Sequence, residues 1–300
     1  MYTITTITIR AKDRDIAKKT IEDAFLEIKR LEEILNYYDE RSEIRKINRN
    51  AGIKPVKVSK ETFDLIQKAI KVSEITEGGF DITAGPLIKL WDFKTKKIPT
   101  GQEIKNALSL VDYRAIVLNK ADYTVFIKKK GMEINPGGII KGYASEKIAG
   151  LLVEKGIKGG IVSIGGDIKT FGLKLDNRGW MVGIQSPRPK TNKDEIFGKV
   201  ELSNKCISTS GDYERYFELD GVRYHHILDL KTGYPARGIM SVTVVTDDGA
   251  MCDALATGLF TMGVERAIET MKRYGIEGLI IDENGHTHST DFFQKGMIKT

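Results

Sequence analysis

Short β-rich runs, separated by glycine turns and interrupted by helices at irregular intervals, constrain the fold of this chain more than any other feature. The runs lie at 2–10, 115–119, 124–128, 160–173, 179–184, 197–202, 213–226, 242–245 and 279–281. Strands and helices that do not alternate regularly argue against a βαβ array. The pattern predicts one large α+β unit over residues 1–300, since no repeat or linker divides the chain.

Five stretches have the apolar spacing of helices. The first is predicted over 15–36 with Asp15 as its cap, and the second runs from Ser59 to the stop at Gly78–Gly79. The third begins at the capping box Thr100–Glu103, and the fourth runs from Gly138 to Gly156. The fifth is predicted over 248–274, with a break at Gly263.

The charge balance is that of an ordinary solvated surface. The 47 Lys and Arg residues against 41 Asp and Glu leave a formal net charge of +6, with both signs interspersed. The single tight basic run, Lys128–Lys130, is explained by a turn at a strand end. Because no basic stripe carries interleaved aromatic residues, the sequence argues against a nucleic-acid partner. A mild basic excess does favour an anionic small molecule.

Cysteine content and hydropathy indicate the cellular compartment of the protein. Cys206 and Cys252 form neither a disulfide framework nor a CxxC metal motif, so reduced thiols fit best, with a single bridge left open. No apolar run approaches the roughly 18 residues of a membrane span, and the N-terminus has no signal-peptide core. We expect a cytoplasmic protein; the alternative is an extracytoplasmic one whose leader was removed.

Two adjacent histidines end the run at 213–226 and follow Ile207–Gly211, which we interpret as a hydroxyl-rich glycine turn. In an alternating strand His225 and His226 face opposite ways, so at most one points into a given site. The apolar residues after them suggest a buried strand end, where an uncharged His can accept a proton near neutral pH. A packed hairpin with a surface His explains the spacing equally well.

Asp253 and Thr257 lie one turn apart on the last long predicted helix. The i, i+4 spacing places the carboxylate and the hydroxyl on one face. Both are hard oxygen ligands of the kind that Mg²⁺ takes. Taken alone, the pair is more often a helix-terminal Asp and a Thr that bonds a backbone carbonyl.

Glycine pairs and aromatic residues are the remaining candidates. Gly137–Gly138 precedes Lys141, an arrangement in which backbone N–H groups and an ammonium can approach a phosphate. Tight turns explain this pair and Gly165–Gly166 equally well, and neither is a Walker A or GxGxxG motif. Tyr38 and Phe80 are candidates to stack on a planar ring, or are simply core.

A series of motifs runs in order along nearly the whole chain. It comprises Tyr38-Asp-Glu-Arg-Ser42, Ile47-Asn48, Phe80-Asp-Ile-Thr-Ala-Gly-Pro-Leu87, Trp91, Gly137-Gly-Ile-Ile-Lys-Gly-Tyr-Ala144, Gly165-Gly-Asp167, Trp180, Gly183-Ile184, Pro187, Ser208-Thr-Ser-Gly-Asp-Tyr213, His226-Ile-Leu-Asp229, Thr232-Gly-Tyr-Pro235 and Asp253-Ala-Leu-Ala-Thr257. Each motif alone is weak, but the ordered series closely resembles the ApbE-type FAD:protein FMN transferases, formerly called thiamine-biosynthesis lipoproteins.

The resemblance implies a single ApbE-like, T-fold-related domain with Mg²⁺ as its metal and FAD as its substrate. A Thr or Ser hydroxyl of an acceptor flavoprotein would attack the phosphorus on the FMN side, and AMP would leave. Acceptors of this family carry a short Thr- or Ser-containing motif and include subunits of redox pumps.

The resemblance also assigns roles to residues. Mg²⁺ would be bound by Asp253, Thr257 and the Ala144 carbonyl, and His226 would be the base, with His225 a bystander. The flavin and nucleotide site would be lined by Tyr38, Asn48, Phe80, Asp81, Lys141, Ser210 and Gly211. One departure is Asn135–Pro136, where the family often has Asp-Leu. It raises the question of what orders the following glycine turn.

Two other functions fit the same residues. One is a Mg²⁺-dependent FAD pyrophosphatase, in which water replaces the acceptor hydroxyl and FMN and AMP are released. The other is a non-catalytic FAD-binding protein. The set Asp253, Thr257 and His226 argues against the second, because binding alone needs no base beside a metal.

Overall fold

The computed structural model describes residues 3–192 and 195–299. Its helices are α1 (Arg14–Leu35), α2 (Glu43–Arg49), α3 (Lys60–Ile75), α4 (Gly85–Ile88), α5 (Gly101–Leu108), α6 (Ile140–Glu154), α7 (Gly249–Met262), α8 (Val264–Tyr274) and α9 (Asp291–Gly296). Its strands are β1 (Thr5–Ile9), β2 (Val56–Lys57), β3 (Ile116–Asn119), β4 (Thr124–Ile127), β5 (Gly159–Ile164), β6 (Asp167–Gly172), β7 (Trp180–Gln185), β8 (Ile196–Leu202), β9 (Cys206–Gly211), β10 (Tyr216–Leu219), β11 (Val222–His225), β12 (Ile239–Thr246), β13 (Glu277–Asp282), β14 (Thr287–Ser289) and β15 (Ile298–Lys299). In this part of the chain no helix is long and apolar enough to cross a bilayer.

A seven-stranded antiparallel sheet organises the molecule, in the order β1-β5-β6-β9-β12-β13-β14. One face is covered by α6 and α7, and the other by the β7–β8 hairpin together with α9. Because β12 is buried on both faces, nearly all of its residues are apolar or small, as in Ile239 to Val245. Burial of these side chains is the principal force that holds the layers together.

Helices α6 and α7 approach closely because each has a glycine at the contact. A Cβ placed on Gly142 would lie 2.0 Å from the carbonyl oxygen of Gly249, and one on Gly249 would lie 2.2 Å from that of Gly142. No side chain fits between the two backbones at this point. The contact brings the start of α6 against the first turns of α7.

Several features predicted from the sequence are confirmed. Ser59 caps α3, and Thr100 and Glu103 form a capping box at α5. The long helix predicted over 248–274 breaks at Gly263, whose φ of +79° favours glycine. The mixed helix and strand content agrees with the α+β prediction.

Other predictions are wrong in detail. The cap of α1 is Asp13, whose carboxylate accepts from the N–H groups of Asp15 and Ile16 at 2.8 and 2.9 Å. The first strand is Thr5–Ile9, shorter than 2–10, and residue 2 lies outside the described residues. The runs at 160–173 and 213–226 each divide into two strands.

The stretch Ile207–Gly211 is a strand, not a turn. It lies within β9, between β6 and β12 in the middle of the sheet. Thr209 faces Thr243 across the β9–β12 pair, and their hydroxyl oxygens are 2.8 Å apart. Such cross-strand hydroxyl pairs stabilise a sheet, so hydroxyl-rich composition here serves strand pairing.

The segment that follows α3 connects the first third of the chain to the His pair. Trp91 donates from Nε1 to the Gly233 carbonyl at 3.1 Å, and Ala84 forms a parallel bridge with Glu133. Leu87, Trp91 and Leu228 share one apolar cluster. These contacts hold the residues after His226 against the segment 80–91.

Candidate active site

Two oxygen-bearing side chains on α7 face the start of α6 and strand β9. Asp253 is buried, and its Oδ2 accepts from the Gly142 N–H at 3.1 Å. Thr257, one turn later, has its Oγ1 3.1 Å from the Ser210 hydroxyl. Asp253 and Thr257 therefore share one face of α7, as their i, i+4 spacing predicted, and the Ser210 hydroxyl of β9 lies against the same face.

Lys141 bridges two buried carboxylates. Its Nζ donates to Oδ2 of Asp167 and lies 3.4 Å from Oδ1 of Asp253. Burial lowers the pKa of Lys141, but the charges of Asp253 and Asp167 outweigh burial and raise it above its ordinary value. The side chain is thus an ammonium, and its 30% exposure gives it access to a ligand.

Asp167 is the residue of this cluster that our sequence interpretation gave no role. It begins β6 directly after Gly165 and Gly166, whose positive φ values of +60° and +89° form the tight turn of the β5–β6 hairpin. Burial, with the charge of Asp253, raises the pKa of Asp167, while Lys141 opposes the shift. The sequence signal that could have indicated Asp167 is the glycine pair before it. A tight turn there places the first side chain of β6 against Lys141.

The turn Pro136–Gly138 leads into α6 and is ordered by Asn135. The Asn135 side-chain oxygen accepts from the Gly137 N–H at 2.9 Å. An Asp would supply the same acceptor, so the departure at this position preserves the turn. A Cβ on Gly138 would lie 3.3 Å from the Phe80 ring and 3.6 Å from Thr257 Oγ1. The turn therefore lies between the aromatic ring and the α7 oxygen donors.

Ala144 lies inside α6, whereas the turn Pro136–Gly138 lies before the helix. It is fully buried in the second turn of the helix, where a carbonyl accepts from the N–H four residues later. Gly138 precedes the helix, and the Gly142 N–H donates to Asp253. Of the two positions, Gly138 is the one whose backbone is shown near Thr257.

The two histidines have different surroundings, and His226 lies beyond the end of β11, so strand alternation does not relate the two rings. His225 ends β11 and is buried against Phe260. Its Nε2 lies 2.9 Å from the Ala236 carbonyl and its Nδ1 accepts from the Ile227 N–H at 3.3 Å. Both ring nitrogens are engaged with backbone, so His225 is a structural residue.

His226 has an unengaged buried nitrogen. Its backbone N–H donates to the Arg215 carbonyl at 3.1 Å, whereas its buried Nδ1 has no hydrogen-bond partner among the described residues. Burial lowers the pKa of His226 to about 4, and the positive charges of Arg215 and Lys141 contribute. The ring is neutral at pH 7 and close enough to Lys141 to sense its charge. A neutral imidazole is able to accept a proton.

Two residues assigned to the flavin site, Asn48 and Asp81, hydrogen-bond to the backbone of neighbouring segments. Asn48 pairs with Ile134 through both amide atoms, at 2.9 and 2.8 Å, and so fixes the strand-like entry to Asn135. Asp81 accepts from Thr83 and Tyr113, and burial raises its pKa. These two residues position neighbouring segments.

Tyr38 and Gly211 have other neighbours in the described structure. Tyr38 is 79% exposed, with its ring edge-on to Tyr37 at 5.1 Å. Gly211 ends β9 next to Ser210, and a Cβ there would lie 2.4 Å from the Tyr213 ring. The residues that converge directly are therefore Phe80, Gly138, Lys141, Ser210, Asp253 and Thr257, and the charge of Lys141 also acts on His226.

The donor set decides which metal the site can hold. No group of three or more His, Cys, Asp or Glu in the described residues has metal-binding geometry. One buried carboxylate with hydroxyl and carbonyl oxygens is the sparse set that Mg²⁺ uses when water and phosphate complete its octahedron. The residues present therefore fit a magnesium ion held jointly with a phosphate substrate.

Comparison with known proteins identifies the family. The model of the ApbE family matches residues 1–280. The chain belongs to the ApbE family. Among ApbE relatives, a FAD:protein FMN transferase of Klebsiella pneumoniae is 33% identical over 261 residues, covering 86% of this chain and 80% of the relative. The Vibrio cholerae protein of the same name is 34% identical over 261 residues, covering 84% and 76%.

Solved ApbE structures share the whole fold. The ApbE protein of Thermotoga maritima superimposes with a TM-score of 0.88 at 33% identity, covering 98% of both chains. The flavin transferase ApbE of Vibrio cholerae also gives 0.88, at 28% identity, covering 99% of this chain and 96% of that one. The sheet, the α6–α7 pair and the cluster between them thus belong to an ApbE architecture.

Proposed function

We propose that this protein is an FAD:protein FMN transferase that moves FMN from FAD to a Thr or Ser hydroxyl of an acceptor flavoprotein, with Mg²⁺, and releases AMP. The names of the ApbE relatives support the reaction class. The observation that carries the proposal is the cluster of hard oxygen donors around Asp253 and Thr257 with the Lys141 ammonium, whose charge also acts on His226. The proposal adds the metal, the hydroxyl acceptor and the leaving group.

The proposed bond changes balance without an outside reagent. The acceptor oxygen forms a bond to the phosphorus on the FMN side of FAD, and the bond from that phosphorus to the bridging oxygen breaks. The bridging oxygen leaves with AMP. The hydroxyl proton goes to the imidazole of His226, which is neutral because burial lowers its pKa to about 4.

The polar cluster would handle the negative charge of the pyrophosphate. Asp253, Thr257 and the Gly138 carbonyl would hold Mg²⁺, with Gly138 taking the place first assigned to Ala144. Bound there, the ion would neutralise charge on the transferring phosphoryl group. The partly exposed Lys141 ammonium adds a second positive charge at the same place.

The apolar wall of the site would orient the flavin. Phe80 is buried behind Gly138, and a Cβ at Gly138 would lie 3.3 Å from its ring. Asn48 and Asp81 hold the flanking segments, and the exposed Tyr38 is available at the rim. Rigid flanks keep the reacting atoms close, which contributes to rate through proximity.

A direct assay tests the proposal. The purified protein is incubated with FAD and Mg²⁺, with and without chelator, and with a redox-pump subunit carrying the Thr-containing motif. AMP release and the acceptor mass are measured. A metal-dependent gain of one FMN residue is expected. AMP and free FMN without that gain would establish the pyrophosphatase instead, and intact bound FAD would leave a binding protein.

Replacing Asp253 tests the metal assignment. We expect Asp253→Ala to abolish metal-dependent turnover while leaving some FAD binding, because the carboxylate ligand is lost and the flavin contacts remain. Asp248→Ala is the matched control, since Asp248 caps the same helix and pairs with Lys68 at 2.6 Å. Its turnover per folded molecule should be retained. Unchanged turnover of Asp253→Ala would refute the metal assignment.

A further inference from the structure

The Lys141 ammonium and a metal ion would compete for the same carboxylate. Nζ lies 3.4 Å from Oδ1 of Asp253, the residue assigned to the metal, and is also bonded to Asp167. The side chains of Asp167 and Asp253 are only 3% and 5% exposed. In such a buried place, a positive charge beside a metal ligand weakens cation binding strongly, because water screens it poorly.

Asp167 is placed to bind the Lys141 ammonium and so to reduce its competition with a metal ion for Asp253. It starts β6 at a glycine turn that packs against Lys141: a Cβ on Gly165 would lie 3.2 Å from Lys141 Cδ. Ser208 supports the Asp167 carboxylate by hydrogen bonding. The contact of Nζ with Asp167 is the closer of its two carboxylate contacts.

We infer that Asp167 is a positioning residue that sets the metal affinity of the site by retaining Lys141, so that Asp253 is free to bind the cation. The inference rests on the proposed function, since it takes Asp253 as a metal ligand. Asp167 touches neither metal nor substrate in this scheme. Its effect passes through Lys141.

The inference predicts a double-mutant cycle in which the variants act in opposite directions. In Asp167→Asn, Lys141 keeps Asp253 as its one charged partner, and cation affinity should fall roughly 10- to 100-fold, as for other outer-shell partners of metal ligands. In Lys141→Met the competitor is absent, so affinity should equal or exceed that of the wild type. In Asp167→Asn/Lys141→Met the loss should disappear.

Mn²⁺ binding to the full-length protein without FAD, followed by electron paramagnetic resonance of the free ion, measures this cycle independently of activity. Lys147→Met is the matched control, because it removes an exposed lysine from the same helix that lies over the Tyr143 ring. That variant should bind like the wild type. Circular dichroism and thermal unfolding confirm that each variant is folded.

Each result of the cycle has a defined meaning. A loss in Asp167→Asn that is restored by Lys141→Met supports the inference. A loss that persists in the double variant would show that Asp167 acts by its own charge, and unchanged affinity in Asp167→Asn would show that it does not act at all; either overturns the inference. Wild-type protein that binds no Mn²⁺ would instead refute the metal site of the proposed function.

Discussion

At the scale of single residues, His225 and His226 show how partners decide the role of a side chain. His225 has backbone partners for both ring nitrogens, so its imidazole stabilises the segment that follows β11. His226, one residue later, has a buried nitrogen without a partner in the described chain. Alternation predicted that only one ring serves a site. The ring of His225 is bound to the backbone of Ala236 and Ile227, and the spacing of the two histidines does not predict these contacts.

The titration of His226 is a prediction at this scale. Burial lowers its pKa from 6.5 to about 4, so it should stay neutral down to pH 5. Between pH 6.5 and 4 the unfolded chain binds a proton that native His226 does not bind. The free energy of unfolding should therefore fall as the pH falls through this window.

Nuclear magnetic resonance of the imidazole Cε1–H groups measures this titration, with His226→Asn assigning the signal. A midpoint between 6 and 7 would contradict the burial of Nδ1. The variant should also unfold with a weaker pH dependence between pH 6.5 and 4 than the wild type. His288→Asn, at the other end of the molecule, is the control for the removal of an imidazole.

At the scale of elements, short-range signals in the sequence predicted some helix boundaries correctly. The capping box at Thr100 and the glycine break at Gly263 depend on neighbours within four residues. The pairing of Asp253 with Thr257 on one face of α7 has the same short range. Composition failed where tertiary pairing overrides it: Ile207–Gly211 has turn-like residues but forms a central strand.

The contacts that assemble the site are of longer range. Lys141 meets Asp167 at a separation of 26 residues and Asp253 at 112. A one-dimensional pattern does not specify such contacts, because they follow from how the β5–β6 hairpin and α7 pack against α6. Resemblance to a family supplied candidates such as Asn48 and Asp81, and the structure shows that these two support backbone.

The α6–α7 contact yields a prediction at this scale. In Gly142→Ala the new Cβ would lie 2.0 Å from the Gly249 carbonyl oxygen and 2.8 Å from Cβ of Asp253, so the helices must separate. We expect a loss of about 3 kcal/mol in the free energy of unfolding. Weaker Mn²⁺ binding should accompany it, because Asp253 moves with α7.

Gly150→Ala is the matched control on the same helix. A Cβ there meets nothing within 4 Å, so the gain in helix propensity should stabilise the protein by about 1 kcal/mol. Urea unfolding followed by circular dichroism measures both variants. Equal stability of the two would contradict the close approach of α6 and α7.

At the scale of the whole molecule, two of the three apolar clusters in the described residues share the central sheet. The largest lies between the sheet and the helices and includes Leu31 and Phe260. The β7–β8 hairpin and α9 form a second cluster on the opposite face, and Trp91 belongs to a third beside the His pair. Strands β9, β12 and β13 contribute to both faces, for example through Val244 and Val245. Loss of one layer therefore exposes the apolar side of another.

Shared strands predict that residues 3–299 unfold as one unit, and the chain offers two natural reporters of this. Its two tryptophans, Trp91 and Trp180, lie in different places, the first beside the His pair and the second at the start of β7. In Trp91→Phe the remaining fluorescence reports the β7–β8 side, and in Trp180→Phe it reports the site side. Within each variant, the fluorescence midpoint in urea should coincide with the circular dichroism midpoint, because a two-state transition has one midpoint for every probe. Comparing probes within one variant removes the effect of the substitution on stability.

The contradicting outcome is a fluorescence midpoint for the β7–β8 side at a lower urea concentration than the circular dichroism midpoint of the helices. The hairpin layer would then be a separate cooperative unit, and the single-domain prediction for this chain would be wrong.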